Sequence, residues 1–373
     1  MAESTRLVDL VQLSIDGFVA ERNTEFAAIA PELVQFLDVA QSFLSGGKRF
    51  RALFCYWGWQ SVSSLADGFD PLPDDHVSAD FPGVVLAASA LEMFHAAALV
   101  HDDIIDRSDT RRGAAAAHRR FEAIHVDEGW TGDAAAYGQS AALLLGDLLL
   151  GWSDELFDSG TAKVSDPAAA LAGRAEFSRM RTEVTAGQYL DILEENAWSR
   201  HPESEALSRA HRVIVYKSAK YSVEAPLAIG AALGGASLAQ LAALRAFGLP
   251  LGVAYQLRDD LLGVFGDPAV TGKPAGDDLR EGKRTVLVGL ARQKLSAGSR
   301  TLFDELVGDP DLDTQQVEVL RTAIRDCGAV EQVERYIDHN VDLARDALKD
   351  APLASSARSQ LIELVDTVTK RVY

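Results

Sequence analysis

The amino-acid sequence predicts an all-α protein, and two observations carry that prediction. Apolar residues recur at helical spacing through most of the 373 residues, whereas the strict alternation of apolar and polar residues that indicates strands is rare. Alanine and leucine, both strong helix formers, are abundant. Neither a shift of composition nor an internal repeat of fixed period divides the sequence. We therefore expect residues 1–373 to form a single helical domain.

The helices are expected along the whole chain. The first is amphipathic, since Leu7, Leu10, Val11 and Ile15 recur at helical spacing. Clear helical stretches follow at Pro82–Asp106, Gly138–Phe157, Pro167–Ala197, Glu203–Leu233, Leu238–Phe265 and Arg284–Leu295, with more from about Ser299 to the end. Prolines that suit the first turn of a proposed helix are Pro82, Pro167, Pro202 and Pro352. Prolines inside helical patterns, which predict kinks, are Pro226 and Pro250.

Polar stretches separate several of these helices. Stretches rich in Gly, Pro, Ser, Asp or Arg are expected to be loops at Gln60–Phe81, Arg107–Thr131 and Gly266–Lys283. Some of the helices that these loops separate are apolar on most of their circumference. The segment GQSAALLLGDLLLGW has Asp147 as its only charge, which is typical of a central helix in a bundle.

The overall charge excludes several function classes. Lys and Arg number 36 against 55 Asp and Glu, so the formal net charge is −19, which argues against binding to nucleic acid or to anionic lipid. Cys55 and Cys327 lie far apart and fit neither a metal motif nor a disulfide framework, so a reducing compartment, the cytoplasm, is expected. The first residues lack a signal-peptide pattern, and no window of about 18 uncharged apolar residues predicts a membrane span.

The strongest chemical signal is a cluster of carboxylates at the end of an apolar helix. Asp102 and Asp106 are four residues apart, and Asp103 and Asp106 are three apart, so all three can point from one helix end. Like charges at that spacing are unfavourable unless a cation joins them, and carboxylate oxygens next to substrate phosphates suit Mg²⁺. The alternative interpretation is a solvated acidic helix end.

A second acidic pair, Asp259 and Asp260, ends another apolar helix. Two such helix ends are hard to explain by solvation alone. If they face one another, they form a cage for several divalent ions. These ions would bind a polyanion and stabilise the negative charge that develops on a leaving group.

Basic residues stand near these carboxylates in an otherwise acidic sequence. They are Lys48 and Arg51 in GGKRFR, Arg111 and Arg112 in RRG, Lys217, and Lys273 and Lys283 in TGKPAGDDLREGK. Glycine allows the backbone to approach a phosphate, and arginine binds phosphate with two parallel hydrogen bonds. Neither GxxxxGK[ST] nor GxGxxG is present, so a nucleotide-binding loop is not indicated. His95 precedes Asp102 by seven residues on nearly the same face, and is either a phosphate donor or a core histidine.

These motifs resemble, in order, those of the trans-prenyl diphosphate synthases, the polyprenyl synthetase family. The sequence carries GGKRFR, FHAAALVHDDIID followed by RRG, LLLGD, GQYLD, YKS, YQLRDD and GKPAGDDLREGK, between about Gly46 and Thr285. The resemblance implies the isoprenoid synthase fold, a helical bundle around a deep apolar cavity, in a homodimer. It also implies head-to-tail condensation of isopentenyl diphosphate with an allylic diphosphate.

The resemblance assigns roles to individual residues. It implies that three Mg²⁺ ions bind with the substrate to Asp102, Asp103, Asp106, Asp259 and Asp260. The residues implied to hold the allylic diphosphate are Arg111, Lys217, Lys273 and Lys283. Those implied to hold isopentenyl diphosphate are Lys48, Arg51, His95 and Arg112. Glutamines implied to lie near the reacting chains are Gln188 and Gln256. The set implied to act in catalysis is Asp102, Asp103, Asp106, Arg111, Lys217 and Asp259.

Some positions depart from the family pattern. Gly263 stands where many members have the third aspartate of the second motif, so one carboxylate is lost. Ser218 replaces the usual threonine after the lysine and keeps the hydroxyl group, while Ala52 and Tyr255 replace a common proline and phenylalanine. We expect catalysis to survive these changes.

Small residues before the first acidic cluster bear on product length. Farnesyl-producing members often carry an aromatic side chain four or five residues before the first aspartate, where this sequence has Ala98 and Ala97. Phe94 is the next large residue, and one helical turn of about 5.4 Å is close to one isoprene unit. Geranylgeranyl diphosphate (C20) is therefore predicted. The alternatives are a farnesyl or longer product, with Phe94 in core packing and a partner-subunit residue setting the length.

Two other classes of protein are less consistent with these motifs. A class I terpene cyclase shares the fold, but the N-D-x-x-S-x-x-x-E pattern is absent and GGKxxR would have no use. A non-catalytic subunit of a heteromeric synthase usually loses aspartates of the first motif, whereas all three are present here. An active synthase is the preferred interpretation.

Overall fold

The computed structural model describes residues 2–66, 78–267 and 276–369, and these are almost entirely helical. The predicted all-α class is confirmed. Contacts divide the chain into two compact units, residues 1–175 with 229–236 and residues 176–228 with 237–373. A single domain over residues 1–373 stays a prediction.

The first unit is organised around an apolar helix that ends at the first acidic cluster. Its helices are α1 (Ala2–Ile29), α2 (Leu33–Leu44), α3 (Phe50–Ala66), α4 (Phe81–Ile105), α5 (Ala117–Asp127), α6 (Ala134–Thr161) and the first part of α7 (Pro167–Ala197). A short antiparallel hairpin joins β1 (Thr110–Arg111) to β2 (Ala114–Ala115). Helix α4 packs on α6, α3, α1, α5 and α2, which explains why nearly its whole circumference is apolar.

The second unit is organised around the helix that ends at the second acidic pair. After α7 come two 3₁₀ turns (Trp198–Arg200 and Glu203–Glu205), α8 (Ala206–Val213), a π-helical segment (Ile214–Glu224) and α9 (Ala225–Leu233), whose residues from 229 onward belong to the first unit. They are followed by α10 (Leu238–Phe265), α11 (Asp277–Glu281), α12 (Val286–Lys294), α13 (Ala297–Leu306), α14 (Thr314–Asp326), α15 (Ala329–Ala347) and α16 (Ser355–Thr369). Helix α10 packs on α15 and on the π-helical segment, and their apolar side chains form one core cluster.

Several predicted loops contain regular structure. The stretch predicted as a loop from Arg107 to Thr131 holds the hairpin and α5, because Phe121 and His125 lie four residues apart and are both buried. Helix α3 continues past Gln60 to Ala66, and α11 lies inside the third predicted loop. Pro352 precedes α16 by three residues, so its predicted place in a first helical turn is wrong. The composition of these stretches predicted loops, but burial of one face stabilises helices there.

The helix predicted from Glu203 to Leu233 is not uniform. Within it, the π-helical segment Ile214–Glu224 has a wider backbone, and the N–H of Ala225 donates to the carbonyl of Lys220, five residues back. Pro226, predicted to kink the helix, follows directly and has no N–H to donate. Short π-helical segments occur often at functional sites. This one carries Lys217.

Two helices, α4 and α10, are long and apolar enough to cross a membrane by length and composition. Such a test is also passed by core helices of globular proteins, and 72% of the apolar window of α4 is buried within the protein. Glu92, in the middle of α4, is buried and forms an ion pair with Arg49. The absence of a membrane span stays a prediction.

Candidate active site

The end of α4 separates the three carboxylates of the first acidic cluster. Asp103 is fully buried, whereas Asp102 and Asp106 are partly exposed. Arg111 Nε donates to Asp103 Oδ1 at 2.8 Å, and Arg111 Nη2 contacts both Asp103 and, at 3.2 Å, Asp102 Oδ2. Burial alone would lower the pKa of Arg111, but the charges of Asp103 and Asp102 outweigh burial and raise it. Arg111 is therefore a firmly held cation, and the partly exposed carboxylates of Asp102 and Asp106 lie at the same helix end.

A tight hairpin brings Arg111 back to the helix that precedes it. Arg111 ends β1, and the turn to β2 places Arg112 and Gly113 at φ of 52° and 77°. Glycine adopts such angles without strain, which explains the glycine of the RRG motif. The predicted pairing of this motif with the acidic cluster is thus present in the structure.

The GGKRFR loop is fixed to α4 by a buried ion pair. Arg49 Nη1 lies 3.4 Å from Glu92 Oε2, and the other Glu92 oxygen accepts the N–H of Ala52 at 3.1 Å in the first turn of α3. Gly46 and Gly47 have φ of 70° and 89°, so the turn before Lys48 depends on glycine. Arg49 and Glu92 were missed by sequence reasoning, although the pairing of a helix charge with a loop arginine is the signal that could have found them.

His95 lies within a cluster of positive charge. Burial lowers its pKa well below the usual 6.5, and the charges of Arg51, Arg112, Arg111 and Arg49 lower it further. The imidazole is therefore neutral at pH 7 and has one N–H to donate. This set, called the cationic cluster below, gathers four arginines in a chain of net charge −19.

The hairpin and the GGKRFR loop meet at Gly47. A Cβ atom on Gly47 would lie 3.2 Å from Arg112 Nη2, and Arg112 Nη1 is 3.5 Å from the carbonyl of Ser45. Burial, followed by the charge of Arg49, lowers the pKa of Arg112. Lys48 is exposed at the same loop, with its Nζ 5.8 Å from the Phe50 ring. The structure thus brings the basic residues assigned to isopentenyl diphosphate together within the first unit.

The residues predicted to set product length differ in accessibility. Phe94 and Ala97 are buried, whereas Ala98 is partly exposed, as are His95 and Asp102. Ala98 therefore lies on the accessible side of α4, one helical turn before Asp102. Ala97 is the neighbouring residue on the packed face, and buried Phe94 lies about one helical turn from Ala98.

The second acidic pair contains a buried carboxylate that lacks a full set of partners. Asp260 is 4% exposed, and its Oδ1 accepts from Gln256 Nε2 at 2.8 Å. Its Oδ2 is buried and finds no hydrogen-bond partner within residues 2–66, 78–267 and 276–369. Burial raises the pKa of Asp260 to about 8; Gln256 opposes the rise, and the charges of Asp278, Asp259 and Asp191 add to it. A cation is the missing partner that this arrangement favours.

The π-helical segment places Lys217 at Asp191, a carboxylate that acts on Asp260. Its Nζ lies 2.5 Å from Asp191 Oδ2 on α7. A Cβ atom on Gly187 would lie 2.3 Å from the backbone nitrogen of Lys217, so only glycine permits this close approach of α7. Asp191 is a site residue that sequence reasoning missed; it is the aspartate of GQYLD, three residues after Gln188.

The remaining basic residues lie after α10. Lys283 Nζ is 2.9 Å from Glu281 Oε2, and the Lys283 N–H donates to the carbonyl of Asp278 at 3.0 Å. Lys273 lies outside the described residues. The part of the chain that the structure describes contains no group of three or more His, Cys, Asp or Glu side chains arranged to hold a metal alone. The oxygen donors still fit Mg²⁺, which keeps several waters and shares its ligands with substrate phosphates.

Asp260 gives a prediction about stability. Its pKa of about 8 in the folded protein exceeds the usual 3.8, so the metal-free folded state loses stability as pH rises from about 4 to about 8. Asp260→Asn removes this loss and is expected to raise the free energy of unfolding at pH 8 by roughly 1–3 kcal/mol. Urea denaturation in EDTA at pH 4 and pH 8 measures it. The two proteins should converge near pH 4; an equal difference at both pH values contradicts the prediction.

The fold and these sites define a class of protein. The structure is almost entirely helical, Arg111 pairs with Asp103 and Asp102 at the end of α4, and Lys217 pairs with Asp191 in the second unit. A model of the polyprenyl synthetase family matches residues 34–326. The chain therefore belongs to the polyprenyl synthetase family, and it is a prenyltransferase of that family. The resemblance stated from the motifs is confirmed.

Named relatives make products of several lengths. A solved structure of geranylgeranyl pyrophosphate synthase from Corynebacterium glutamicum, complexed with isoprenyl diphosphate and magnesium, is 36% identical, has a TM-score of 0.89 and covers 98% of this chain and 99% of its own. Geranylfarnesyl diphosphate synthase of Aeropyrum pernix is 31% identical over 350 residues, 93% of this chain and 97% of the relative. A (2E,6E)-farnesyl diphosphate synthase of Mycobacterium bovis is 31% identical over 302 residues, 79% of this chain and 74% of the relative. Similarity therefore leaves product length open, and the isoprenoid synthase fold is shared.

Proposed function

We propose that the chain is a Mg²⁺-dependent synthase that condenses isopentenyl diphosphate with an allylic diphosphate to geranylgeranyl diphosphate. The observation that carries this proposal is the combination of reachable carboxylates at Asp102 and Asp106 with the cationic cluster around His95. Mutual repulsion among the positive charges of the four arginines makes such a cluster costly unless anionic groups or an anionic ligand offset it.

The allylic diphosphate is assigned to the acidic clusters and their cations. Mg²⁺, when bound with substrate, draws electron density from the diphosphate so that the allylic C–O bond can break. Asp102, Asp106 and Asp259 are assigned as direct ligands of the Mg²⁺ ions. Asp103 and Asp191 hold the guanidinium of Arg111 and the ammonium of Lys217 in place. Cations that are held before the reaction stabilise the departing diphosphate without a cost of reorganisation.

Isopentenyl diphosphate is assigned to Lys48, Arg51, Arg112 and neutral His95. These residues would fix its diphosphate so that its double bond attacks the allylic cation that remains after the C–O bond has broken, and one C–C bond forms. The product double bond forms when a proton leaves the attacking unit. The departing diphosphate is the assigned proton acceptor, since the sequence motifs supply no side-chain base.

Incubation of the purified protein with isopentenyl diphosphate, Mg²⁺ and each of the C5, C10 and C15 allylic diphosphates tests the proposal. Mass spectrometry of the dephosphorylated products is expected to give the C20 alcohol, and EDTA is expected to abolish its formation. Cyclic hydrocarbons would support a terpene cyclase instead. No product with any starter would support a non-catalytic subunit.

The C20 product is assigned to the small residues on α4. Ala98 lies on the partly exposed side of the helix that leads from Asp102, and Ala97 is beside it. Neither offers an aromatic floor near the acidic cluster. Phe94 lies one turn of about 5.4 Å further from the cluster than Ala98, which leaves room for one more isoprene unit.

Substitutions on α4 should move the product length in opposite directions. Phe94→Ala is expected to give products longer than C20, because it removes the proposed floor. Ala97→Phe is expected to shift products toward C15, and Ala98→Phe serves as the matched variant on the accessible side. Product distributions by mass spectrometry measure the change. If all three variants keep the wild-type distribution, another residue sets the length.

A homodimer in the cytoplasm is also proposed. On α6, Leu143 and Leu144 are 50% and 62% exposed, and Leu171 on α7 is 72% exposed within the same unit. Apolar side chains of this size favour an interface with a second copy. Sedimentation velocity is expected to give twice the 40.1 kDa mass of the chain, and Leu144→Glu is expected to shift the protein toward monomers. A monomeric wild-type protein at micromolar concentration would contradict the assignment.

A further inference from the structure

The space beside Gly263 on α10 is filled by a carboxylate from another helix. A Cβ atom on Gly263 would lie 1.9 Å from Asp278 Oδ2, 2.4 Å from Asp278 Cγ and 2.8 Å from Asp278 Oδ1. These are the three nearest heavy atoms, and all belong to one side chain. A side chain at residue 263 and the observed position of Asp278 therefore exclude each other.

We propose that Asp278 supplies the third carboxylate of the second acidic site, in the position that Gly263 leaves open. This inference rests on the proposed function, because it concerns the metal and diphosphate that the site would take. Asp278 would take the role of the third aspartate, which the motif lacks because residue 263 is glycine.

The buried carboxylate Asp260 supports the presence of a cation at this point. Its Oδ2 is buried and finds no hydrogen-bond partner in the described part of the chain. Asp191, Asp259 and Asp278 all act on it electrostatically, and all carry the same charge. Lys217 is bound to Asp191, one of these carboxylates. Several carboxylates thus meet around Asp260, and a divalent cation would balance their negative charge.

The short helix that carries Asp278 is bounded by glycines and held by hydrogen bonds at Leu279 and Arg280. Gly276 and Gly282 bound α11 with φ of 75° and 78°, angles that favour glycine. The carbonyl of Leu279 accepts the N–H of Gly308 at 2.8 Å, and Arg280 Nε donates to the carbonyl of Leu312 at 3.3 Å. The carboxylate is therefore presented by a fixed turn, as a positioned oxygen donor requires.

The same turn joins this carboxylate to a predicted phosphate ligand. The carbonyl of Asp278 accepts the N–H of Lys283 at 3.0 Å. Asp278 thus fixes the backbone of Lys283 while its side chain lies against α10 at Gly263. One residue would then place both a metal-side oxygen and a diphosphate-side cation.

Moving the carboxylate between the two helices tests the proposal. Asp278→Asn keeps the shape and removes the charge, Gly263→Asp puts a second carboxylate into occupied space, and Gly263→Asp/Asp278→Gly moves the carboxylate from α11 to α10. Asp277→Asn is the matched control, because Asp277 is the neighbouring residue in the same turn. Mn²⁺ binding, measured by electron paramagnetic resonance with an unreactive bisphosphonate present, is the readout, together with kcat.

Asp278→Asn is expected to weaken Mn²⁺ binding by roughly 10- to 100-fold, the range found when an outer partner of a metal site is removed. Gly263→Asp is expected to lose at least as much, and the double variant to regain most of the wild-type affinity. Asp277→Asn should bind as the wild type does. Circular dichroism and melting temperature check that each variant is folded.

Two results would overturn the proposal. One is wild-type Mn²⁺ affinity in folded Asp278→Asn. The other is a folded double variant that binds no better than Gly263→Asp; this result also decides the question if Asp278→Asn does not fold. Failure of the wild-type protein itself to bind Mn²⁺ with the bisphosphonate and to convert allylic diphosphates would instead contradict the proposed function, so the two failures are distinguishable.

Discussion

Replacing Asp102 with alanine is expected to lower kcat by roughly 100- to 1,000-fold while the protein stays folded. Asp102 is partly exposed at the end of α4, and Arg111 remains held by buried Asp103 when the Asp102 carboxylate is removed. The charge that Asp102 would help to stabilise develops mainly in the transition state, so the loss should appear in kcat. Steady-state kinetics with saturating substrates and a melting curve measure both parts of the expectation.

The same helix end offers a comparison and a control. Asp103→Ala should lower kcat by a similar factor and also lower the melting temperature, because it leaves Arg111 with one fewer buried partner. Asp109→Ala should change neither by much, since Asp109 is exposed and pairs with Arg119 on the surface. Wild-type turnover in folded Asp102→Ala protein would contradict the assignment of the first acidic cluster to the metal.

Removing single phosphate ligands should separate the two diphosphate sites. Lys48→Ala and Arg51→Ala are expected to raise the KM for isopentenyl diphosphate, and Lys217→Ala the KM for the allylic substrate. A hydrogen bond to a charged group contributes roughly 1.5–3 kcal/mol, which corresponds to about a 10- to 150-fold change. The substitutions remove cations with different partners, because Arg51 acts on His95 whereas Lys217 is bound to Asp191.

Initial rates with one substrate varied and the other saturating measure the separation. Lys220→Ala is the matched control, since Lys220 lies in the same π-helical segment and pairs with Glu183 instead. Its KM values should stay near those of the wild type. The reverse pattern, with Lys217→Ala acting on isopentenyl diphosphate, would mean that the two sites are exchanged.

Much of the candidate site was predictable because its motifs are local. The spacing of Asp102, Asp103 and Asp106 on one helix end follows from 3.6 residues per turn, and the hairpin at Arg111 follows within a few residues of chain. Residues that act through distant contacts were not predictable in this way. Asp191 and Asp278 join the second acidic pair from other helices, 68 and 19 residues from Asp259 in the sequence.

The sequence by itself determined the all-α class, most of the long helices, the family and the residue types of the site, because periodicity and motif order are properties of neighbouring residues. Only the tertiary structure decided that α5 is a helix, that Ile214–Glu224 is π-helical and that Asp103 is buried under Arg111. Only the tertiary structure brings Asp278 into the space at Gly263. Burial, charge neutralisation and the exclusion of one side chain by another depend on residues that meet only when the chain folds. The order of residues along the chain does not give the distances between such residues.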